Sequence, residues 1–418
     1  MIENIIAKLK NILESNTNSF ISLDLVDVSK QLKKQDSNQP LNGVTVAIKD
    51  LIDVEGQKTT MGSAQYQNNI ARSDADVVRR LRTAGAVIFG KTNTHEFAYG
   101  STGDKSFFGP VLNPNNENHI TGGSSSGSAA AVAADLCDVA IGTDTAASVR
   151  LPAALCGVIG LKPTYNSIKR DGVFSLSPSL DHVGIISKSL DLIEKTFNST
   201  KTSIDQKPQK NLDKKLTIGL LKGFFEEYIC SSVKEKYDET IELLRSNGCE
   251  IKEINIKEAF DIYTNSQIVL KYEAYKIHEE SLKLNYPFDP EVKGRILRGE
   301  NITKDEYDIA KKYQENARII FDTALKDVHV LASLTSGILP PKIFERQTKV
   351  NENTVETFFL LTRLTAPINF TGHPAISYPI GKINNLPVGI QFISDFHNEE
   401  ILFQACNLLQ KSFLAKGN

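Results

Sequence analysis

A strand, a helix and a second strand follow one another near the start of the chain, and this order limits the folds available to it. Residues 43–49 (GVTVAIK) form a short β-branched run that predicts a strand ending at Lys49. Residues 73–84 have an acidic start, apolar residues at helical spacing and a closing Gly85, which together predict a helix. Residues 86–90 (AVIFG) again favour a strand. Two parallel strands joined by a helical crossover place the chain in the α/β class.

The rest of the chain continues this mixture of short strands and helices. We predict further strands at 139–142, 216–221, 328–334 and 375–378, helices at 129–134 and 399–413, a loop at 100–121, and a lysine-rich surface connection at 198–215. Helical periodicity and charged faces dominate residues 232–325. The sequence therefore predicts one α/β domain over residues 1–418, with a helix-rich insertion at about 232–325.

Composition excludes several classes of function. The 418 residues have a formal net charge of −2, so no basic excess indicates direct nucleic-acid binding. The five cysteines form no Cys-x-x-Cys pair and the seven histidines have no metal-binding spacing, so we expect neither disulfides nor a metal site. The N-terminal residues mix apolar and charged side chains at helical spacing, unlike a signal peptide, and no apolar run reaches membrane-spanning length. We therefore expect a cytoplasmic protein without membrane contact.

A Gly/Ser run at 122–128 (GGSSSGS) is the first candidate for chemistry. Its segment 123–127 matches the G-x-S-x-G pattern of a nucleophile elbow, but that motif requires a strand directly before it, and here a polar loop precedes it. No Gly-Lys-Ser/Thr follows, which disfavours a phosphate loop. A flexible linker is also disfavoured, because an Ala-rich helix begins immediately afterwards.

Each of the other candidate residues, taken alone, gives only weak evidence of a catalytic role. Residues 142–153 (GTDTAASVRLPA) place Ser148 in a small-residue turn, where a serine most often caps a helix. Lys49 ends a strand, and such a lysine usually extends into solvent. His95 and Cys156 could form a Cys-His pair, although an unpaired cysteine is more often a small core residue.

Taken together, these segments resemble the amidase signature family of serine hydrolases. The chain has GGSSSGSAAAVA, then GTDTAASVRLPAALCGVIGLKPT and an upstream VAIKD, with Ser124 and Ser148 separated by the 24 residues typical of that family. The resemblance covers most of the chain and is weakest in the helical insertion; its other segments are 90–100, 177–184, 366–379 and 386–392. It implies an amidase-signature α/β fold, in which a central mixed β-sheet is flanked by helices on both faces.

The resemblance also implies a mechanism that needs no metal and no organic cofactor. Ser148 would be the nucleophile, Ser124 the proton relay, preceded by a cis peptide bond, and Lys49 the base. Lysine in water is a cation with a pKa of about 10.4, so it must be buried in order to accept a proton. The apolar run before Lys49 would carry it into the interior. The oxyanion would sit among the backbone N–H groups of Thr145, Ala146, Ala147 and Ser148, and Ser125 and Arg150 would support the site.

The chain departs from the family pattern at three positions. Ala146 and Ala147 stand where the family has Gly-Gly, and Ser126 stands where glycine is common. Alanine disfavours a positive φ, so the oxyanion site would be strained if either position required one. These two alanines are also the only support for a non-catalytic alternative, in which the chain is a binding protein of the same fold.

The family contains a second kind of enzyme, the A subunit of the tRNA-dependent glutamyl/aspartyl amidotransferase, which makes ammonia from glutamine inside a complex. Residues 94–97 (THEF), 150–153 (RLPA) and 267–280 depart from that subunit, whereas 291–297 (EVKGRIL) is similar to it. We therefore expect a free-standing amidase with a small-molecule amide as its substrate. Such an amidase could form a homodimer. Amidotransferase subunits are expected as partners only if the chain is an amidotransferase A subunit.

Overall fold

The computed structural model describes residues 2–202 and 215–416, excepting the side chains of residues 415 and 416. Within these ranges the strands are β1 (Phe20–Leu23), β2 (Thr45–Lys49), β3 (Val87–Thr92), β4 (Leu112–Asn113), β5 (Asn116–Ile120), β6 (Val139–Asp144), β7 (Ile159–Lys162), β8 (His182–Ser187), β9 (Thr217–Leu221), β10 (Glu250–Ile254), β11 (Val330–Leu334), β12 (Gln347–Val350), β13 (Asn353–Glu356), β14 (Ala375–Ile383) and β15 (Leu386–Ile393).

The α-helices of the same ranges lie before, between and after these strands. They are α1 (Ile2–Glu14), α2 (Leu25–Leu32), α3 (Asp76–Thr83), α4 (Ser126–Ala133), α5 (Arg150–Cys156), α6 (Leu190–Thr200), α7 (Ser231–Ser246), α8 (Ala259–Lys283), α9 (Pro290–Leu297), α10 (Lys304–Ala324), α11 (Thr357–Thr362), α12 (Ala366–Thr371) and α13 (Glu399–Lys416). Short 3-10 helices cover Ala64–Tyr66, Glu96–Ala98 and Gly223–Glu226. In the described part of the chain we find no helix with the length and apolarity of a membrane span.

Eleven of the described strands form one mixed sheet, in the order β1-β3-β2-β6-β8-β7-β14-β15-β11-β9-β10. Strands β3, β2 and β6 are parallel to one another towards one edge, and β11, β9 and β10 are parallel at the other. The strands between these groups pair antiparallel with their neighbours. Two small hairpins, β4–β5 and β12–β13, lie outside this sheet.

Helices cover both faces of the sheet, because its strands are apolar on both sides. In β2, Val46 and Ile48 pack into one hydrophobic cluster, and Ala47 between them packs into another. Since successive side chains of a strand point to opposite faces, the two clusters lie on opposite sides of the sheet. Helices α1, α4 and α5 contribute to the cluster that contains Ala47, and α3, α6, α8 and α13 contribute to the other. The predicted fold class, a mixed sheet flanked by helices on both faces, is confirmed.

Most of the predicted elements are present with shifted ends. The predicted strands at 43–49, 86–90, 139–142, 216–221, 328–334 and 375–378 correspond to β2, β3, β6, β9, β11 and β14, and the predicted helices at 73–84, 129–134 and 399–413 correspond to α3, α4 and α13. The predicted surface connection at 198–215 falls largely outside the described residues, and α6 covers its first residues. The single-domain organisation stays a prediction.

One prediction about secondary structure is wrong and another is incomplete. Residues 100–121 are not all loop, because they contain the β4–β5 hairpin. Residues 232–325 are rich in helix, as predicted, but they also contain β10, which pairs in parallel with β9 and forms an edge of the central sheet. The sequence of β10, EIKEI, is charged and half exposed, as an edge strand requires, and so lacks the apolar run by which the buried strands are recognised.

Three parallel strands end close together and define the place where the candidate residues meet. Strand β2 ends at Lys49, β3 ends at Thr92 and β6 ends at Asp144. The carboxyl ends of neighbouring parallel strands lie at the same edge of a sheet, where α/β proteins commonly bind their ligands. The loop after β6 carries Ser148, and the turn before α4 carries Ser124.

Candidate active site

Lys49 is fully buried at the end of β2, and its amine is held by two hydroxyl groups. Lys49 Nζ lies 2.7 Å from Ser124 Oγ and 2.7 Å from Thr143 Oγ1. It also lies 3.4 Å from the carbonyl oxygen of Thr143. The side chain therefore does not extend into solvent, as a lysine at a strand end usually does, but joins β2 to β6 and to the turn before α4.

The environment of Lys49 favours its neutral form. Burial lowers the pKa of Lys49 from 10.5 to about 7, and the carboxylates of Asp144 and Asp181 partly oppose this decrease. A lysine with a pKa near 7 is substantially deprotonated at neutral pH and then has a lone pair that can accept a proton. The amine nitrogen next to Ser124 Oγ thus has both the position and the protonation state of a general base.

The segment around Ser124 is tightly enclosed. The peptide bond between Gly123 and Ser124 is cis, as the resemblance implied. A Cβ atom on Gly123 would lie 2.8 Å from the backbone nitrogen of Gly103, so only glycine fits at this position. The carbonyl oxygen of Ser124 accepts hydrogen bonds from the backbone N–H of His95 at 3.2 Å and from Thr94 Oγ1 at 3.0 Å. These contacts fix the Ser124 hydroxyl where it faces Lys49.

Ser148, the nucleophile that the resemblance implied, lies in the loop of residues 145–149 between β6 and α5, which we call the nucleophile loop after that expectation. The backbone N–H of Ser125 donates to the carbonyl oxygen of Ser148 at 3.2 Å, which brings this loop against the Ser124 turn. The hydroxyl of Ser125 donates to the carbonyl oxygen of Thr143 at 3.1 Å, and the backbone N–H of Thr143 lies 3.3 Å from the same hydroxyl oxygen. Ser148 is 7% exposed and Ser124 is 0% exposed, so a molecule from solvent reaches Ser148 first.

Asp144 and Arg150 fasten the two ends of the nucleophile loop to each other. Arg150 Nε lies 3.1 Å from Asp144 Oδ2, and the same oxygen accepts the backbone N–H of Val149 at 3.1 Å and of Arg150 at 3.2 Å. Burial favours the neutral acid, but the charge and hydrogen bonds of Arg150 hold the pKa of Asp144 well below its usual range. Arg150 also donates to Gln391 Oε1 in β15 at 3.1 Å. The predicted supporting role of Arg150 stays a prediction, and sequence reasoning missed Asp144.

Asp181 also holds the nucleophile loop, through a hydrogen bond with Thr145. Asp181 Oδ1 accepts a hydrogen bond from Thr145 Oγ1 at 2.7 Å, and the carboxylate also accepts the backbone N–H groups of Leu176 and Ser177. Burial raises the pKa of Asp181, and these hydrogen bonds oppose that effect. Sequence reasoning noted Asp181 only as part of a matching segment, because 36 residues separate it from Thr145 and no local signal pairs them.

The two alanines of the nucleophile loop do not strain it. Thirteen non-glycine residues of the described ranges have a positive φ, and neither Ala146 nor Ala147 is among them. A Cβ atom at either position is therefore compatible with the backbone, and the conformation does not require glycine there. The replacement of Gly-Gly by Ala146-Ala147 is no argument against an intact loop, and so it does not favour the non-catalytic alternative.

His95 and Cys156 do not have the properties of a thiolate–imidazolium pair. Cys156 is buried, its Sγ lies 3.5 Å from the carbonyl oxygen of Thr121, and burial raises the pKa of its thiol. Burial lowers the pKa of His95 well below its usual value, and its Nδ1 accepts the backbone N–H of Gly103 at 3.3 Å. A protonated thiol and a neutral imidazole, each engaged elsewhere, disfavour the Cys-His alternative.

Comparison with known proteins identifies the family. The model of the family described as Amidase matches residues 1–403. The glutamyl-tRNA(Gln) amidotransferase A subunit of Methanocaldococcus jannaschii is 34% identical over 403 residues, which cover 90% of this chain and 91% of that protein. Seven further curated relatives carry the same name. The expected closeness to free-standing amidases therefore stays a prediction.

Two solved structures share the fold over nearly the whole chain. A crystal structure of an amidase has a TM-score of 0.89 and 29% identity, and the match covers 98% of this chain and 94% of that one. A chain from a vestigial protein complex, described for its bearing on the origins of an s-triazine catabolic enzyme, has a TM-score of 0.92 and 27% identity, with 98% and 94% covered. The chain belongs to the amidase family and is an enzyme that acts on amide C–N bonds.

Proposed function

We propose that the protein hydrolyses a carboxamide through a covalent seryl intermediate, with Ser148 as nucleophile, Ser124 as proton relay and Lys49 as base. The observation that carries this proposal is the 2.7 Å hydrogen bond between Lys49 Nζ and Ser124 Oγ. It joins an amine whose pKa is about 7 to a buried hydroxyl, beside the loop that holds a more accessible serine. Such a chain of groups suits proton removal from a nucleophile that is too weak on its own.

The first half of the reaction forms the acyl-enzyme. Neutral Lys49 accepts the proton of Ser124 as Ser124 accepts that of Ser148, and Ser148 Oγ attacks the carbonyl carbon of the amide. The carbonyl oxygen becomes an oxyanion, which the backbone N–H groups of residues 145–148 stabilise. The proton on Lys49 then passes back through Ser124 to the amide nitrogen. The C–N bond breaks, ammonia or an amine leaves, and an ester of Ser148 remains.

The second half of the reaction repeats these proton transfers with water. Lys49 and Ser124 remove a proton from a water molecule, whose oxygen attacks the ester carbon. Collapse of the second tetrahedral intermediate breaks the bond to Ser148 Oγ, and the relay returns a proton to that oxygen. One water is consumed, and the acyl group leaves as a carboxylic acid, which ionises to a carboxylate; the amine or ammonia has already left in the first half.

A second candidate function is favoured by the names of the relatives. The curated relatives are A subunits of glutamyl-tRNA(Gln) amidotransferase, and the match with the first covers 91% of that protein. Under this candidate the same three side chains would hydrolyse glutamine, and the ammonia would be used inside a complex with partner subunits. The chemistry at Ser148 is the same in both candidates, and only the substrate and the dependence on partners differ.

Ammonia release by the purified chain separates the two functions. The assay uses acetamide, benzamide and glutamine, each with the chain alone and with amidotransferase partner subunits. Release from simple amides by the chain alone supports the free-standing amidase, and release from glutamine only with partners supports the amidotransferase function. Ser148→Ala should abolish either activity, whereas Ser246→Ala, at an exposed serine on α7, should leave it unchanged. Full activity of folded Ser148→Ala would contradict the proposal.

A further inference from the structure

A buried carboxylate in the helix-rich segment reaches the turn that precedes β8. Glu273 lies on α8 and is 9% exposed. Its carboxylate accepts hydrogen bonds from Ser177 Oγ at 2.5 Å, from the backbone N–H of Ser179 at 3.0 Å and from the Tyr307 hydroxyl at 2.8 Å. The hydroxyl of Ser179 also donates to it. Glu273 therefore ties α8 and α10 to residues 177–179.

Ser177 continues this connection to the nucleophile loop. While its hydroxyl donates to Glu273, its backbone N–H donates to Asp181 Oδ2 at 3.1 Å. Asp181 in turn accepts the Thr145 hydroxyl at 2.7 Å. An unbroken series of buried hydrogen bonds thus runs from α8 to the first residue of the nucleophile loop, whose backbone N–H groups form the proposed oxyanion site.

We propose that Glu273 is a positioning residue, which acts through Ser177 and Asp181 to hold Thr145 and thereby sets the geometry of the nucleophile loop. This inference rests on the proposed function for its catalytic consequence. It also gives the helix-rich segment a role in the reaction, although none of the three proposed catalytic side chains lies in that segment. Asp144 and Arg150 fasten the loop at its ends, and Glu273 fixes it from the side of the sheet covered by α8.

The hydrogen bonds of the site explain why an oxygen acceptor is needed at position 273. The backbone N–H of Ser179 and the hydroxyl of Ser177 donate to Glu273 Oε2, and the hydroxyls of Ser179 and Tyr307 donate to Oε1. A hydroxyl can also accept a hydrogen bond, so a glutamine with its NH2 group in the place of Oε1 could still satisfy the site. Methionine is similar in size to glutamate but offers only a weakly accepting sulfur. In a buried site it would leave these donors unsatisfied, and the turn must move to relieve them.

The test compares Glu273→Met with Glu280→Met, at an exposed glutamate on the same helix. Hydrogen–deuterium exchange of the backbone N–H groups of residues 145–149 is measured without substrate, so this result does not depend on the proposed function. We expect exchange in this loop to be at least about tenfold faster in Glu273→Met, because the loop opens locally once the hydrogen bonds that hold it are lost. Glu280→Met should exchange like the wild type.

Kinetics with an amide substrate provide the second readout. A displaced loop should lower kcat by about 10- to 100-fold and leave KM within about threefold, since the lost geometry matters most in the transition state. Ser177→Ala removes the hydroxyl that links Glu273 to the residue bonded to Asp181, so it should reproduce the faster exchange if Glu273→Met does not fold. Wild-type exchange at 145–149 in folded Glu273→Met, or in Ser177→Ala, would overturn the inference. Faster exchange in an enzyme that cleaves no amide would instead contradict the proposed function alone.

Discussion

Lys49 Nζ and Ser124 Oγ lie 2.7 Å apart in a region that excludes solvent. Burial holds the pKa of Lys49 at about 7, so a substantial fraction of the amine is uncharged at neutral pH. The same burial removes water that would compete for the Ser124 hydroxyl. An apolar strand that ends in lysine therefore supplies both the proposed base and the dry environment in which it would work.

The rate of the enzyme should depend on pH through Lys49. Because only neutral Lys49 can accept a proton, kcat/KM should be low well below pH 7, rise through an apparent pKa of about 7 and level off above it. The measurement is kcat/KM between pH 5.5 and 9 with a substrate that does not titrate in this range. A flat profile, or one that falls as pH rises towards 8, would show that a neutral lysine is not required.

Replacing Lys49 with methionine should separate stability from activity. Lys49→Met removes an amine whose burial is unfavourable, so we expect the free energy of unfolding at pH 7 to rise by about 1–3 kcal/mol. The loss of the base should reduce kcat by about 100- to 10,000-fold. Urea denaturation and amide turnover measure these two effects.

The stability gain of Lys49→Met should itself depend on pH. The folded-state pKa of Lys49 is about 7 and its ordinary value is 10.5, so between these values the unfolded chain binds more protons. Stability of the wild type should therefore rise with pH over this window, and the advantage of the variant should shrink from pH 7 towards pH 10. A difference in unfolding free energy that is constant with pH would contradict the lowered pKa.

Cys156 should be dispensable for catalysis. Its thiol is buried and its pKa is raised, so it carries no thiolate at neutral pH. Cys156→Ala should keep kcat/KM within about twofold of the wild type and should lower the free energy of unfolding by about 1 kcal/mol, from the small cavity it leaves. Turnover and urea denaturation check this prediction. A loss of activity in the folded variant would support the Cys-His mechanism instead.

Restoring glycine at Ala146 or Ala147 should not improve the enzyme. Neither residue has a positive φ, so glycine gains nothing in the folded state and loses more entropy on folding. We expect Ala146→Gly and Ala147→Gly each to lower the free energy of unfolding by about 0.5–1 kcal/mol without raising kcat. A tenfold or greater increase in kcat in either variant would show instead that the alanine impairs the oxyanion site.

Local sequence signals predicted the parts of the site that the chain places at the ends of regular elements. The β-branched run before Lys49 was sufficient to place it at a strand end, and the small residues around Ser148 were sufficient to place it in the turn that follows β6. The pairing of Lys49 with Ser124 joins residues 75 positions apart and was reached only by resemblance to a family. Thr143 was missed as a partner of Lys49, because 94 positions separate the two residues and no local signal pairs them.

Contacts that depend on tertiary packing were not predictable from the sequence. Asp181 meets Thr145, and Glu273 meets Ser177, only because the strands and helices that carry them are packed together. A glutamate on a helix with charged neighbours reads as a solvent-facing residue, and nothing nearby marks Glu273 as buried. Strand β10 was missed for a related reason, since an edge strand is half exposed and its charges match those of the surrounding helices.

Labelling with a fluorophosphonate probe, followed by peptide mass spectrometry, tests the central claim most directly. The account predicts a single adduct on Ser148, formed at a rate that rises with pH through about 7, and no comparable labelling in folded Lys49→Met. An adduct on a different residue, or labelling of Ser148 in Lys49→Met at the wild-type rate, would contradict it.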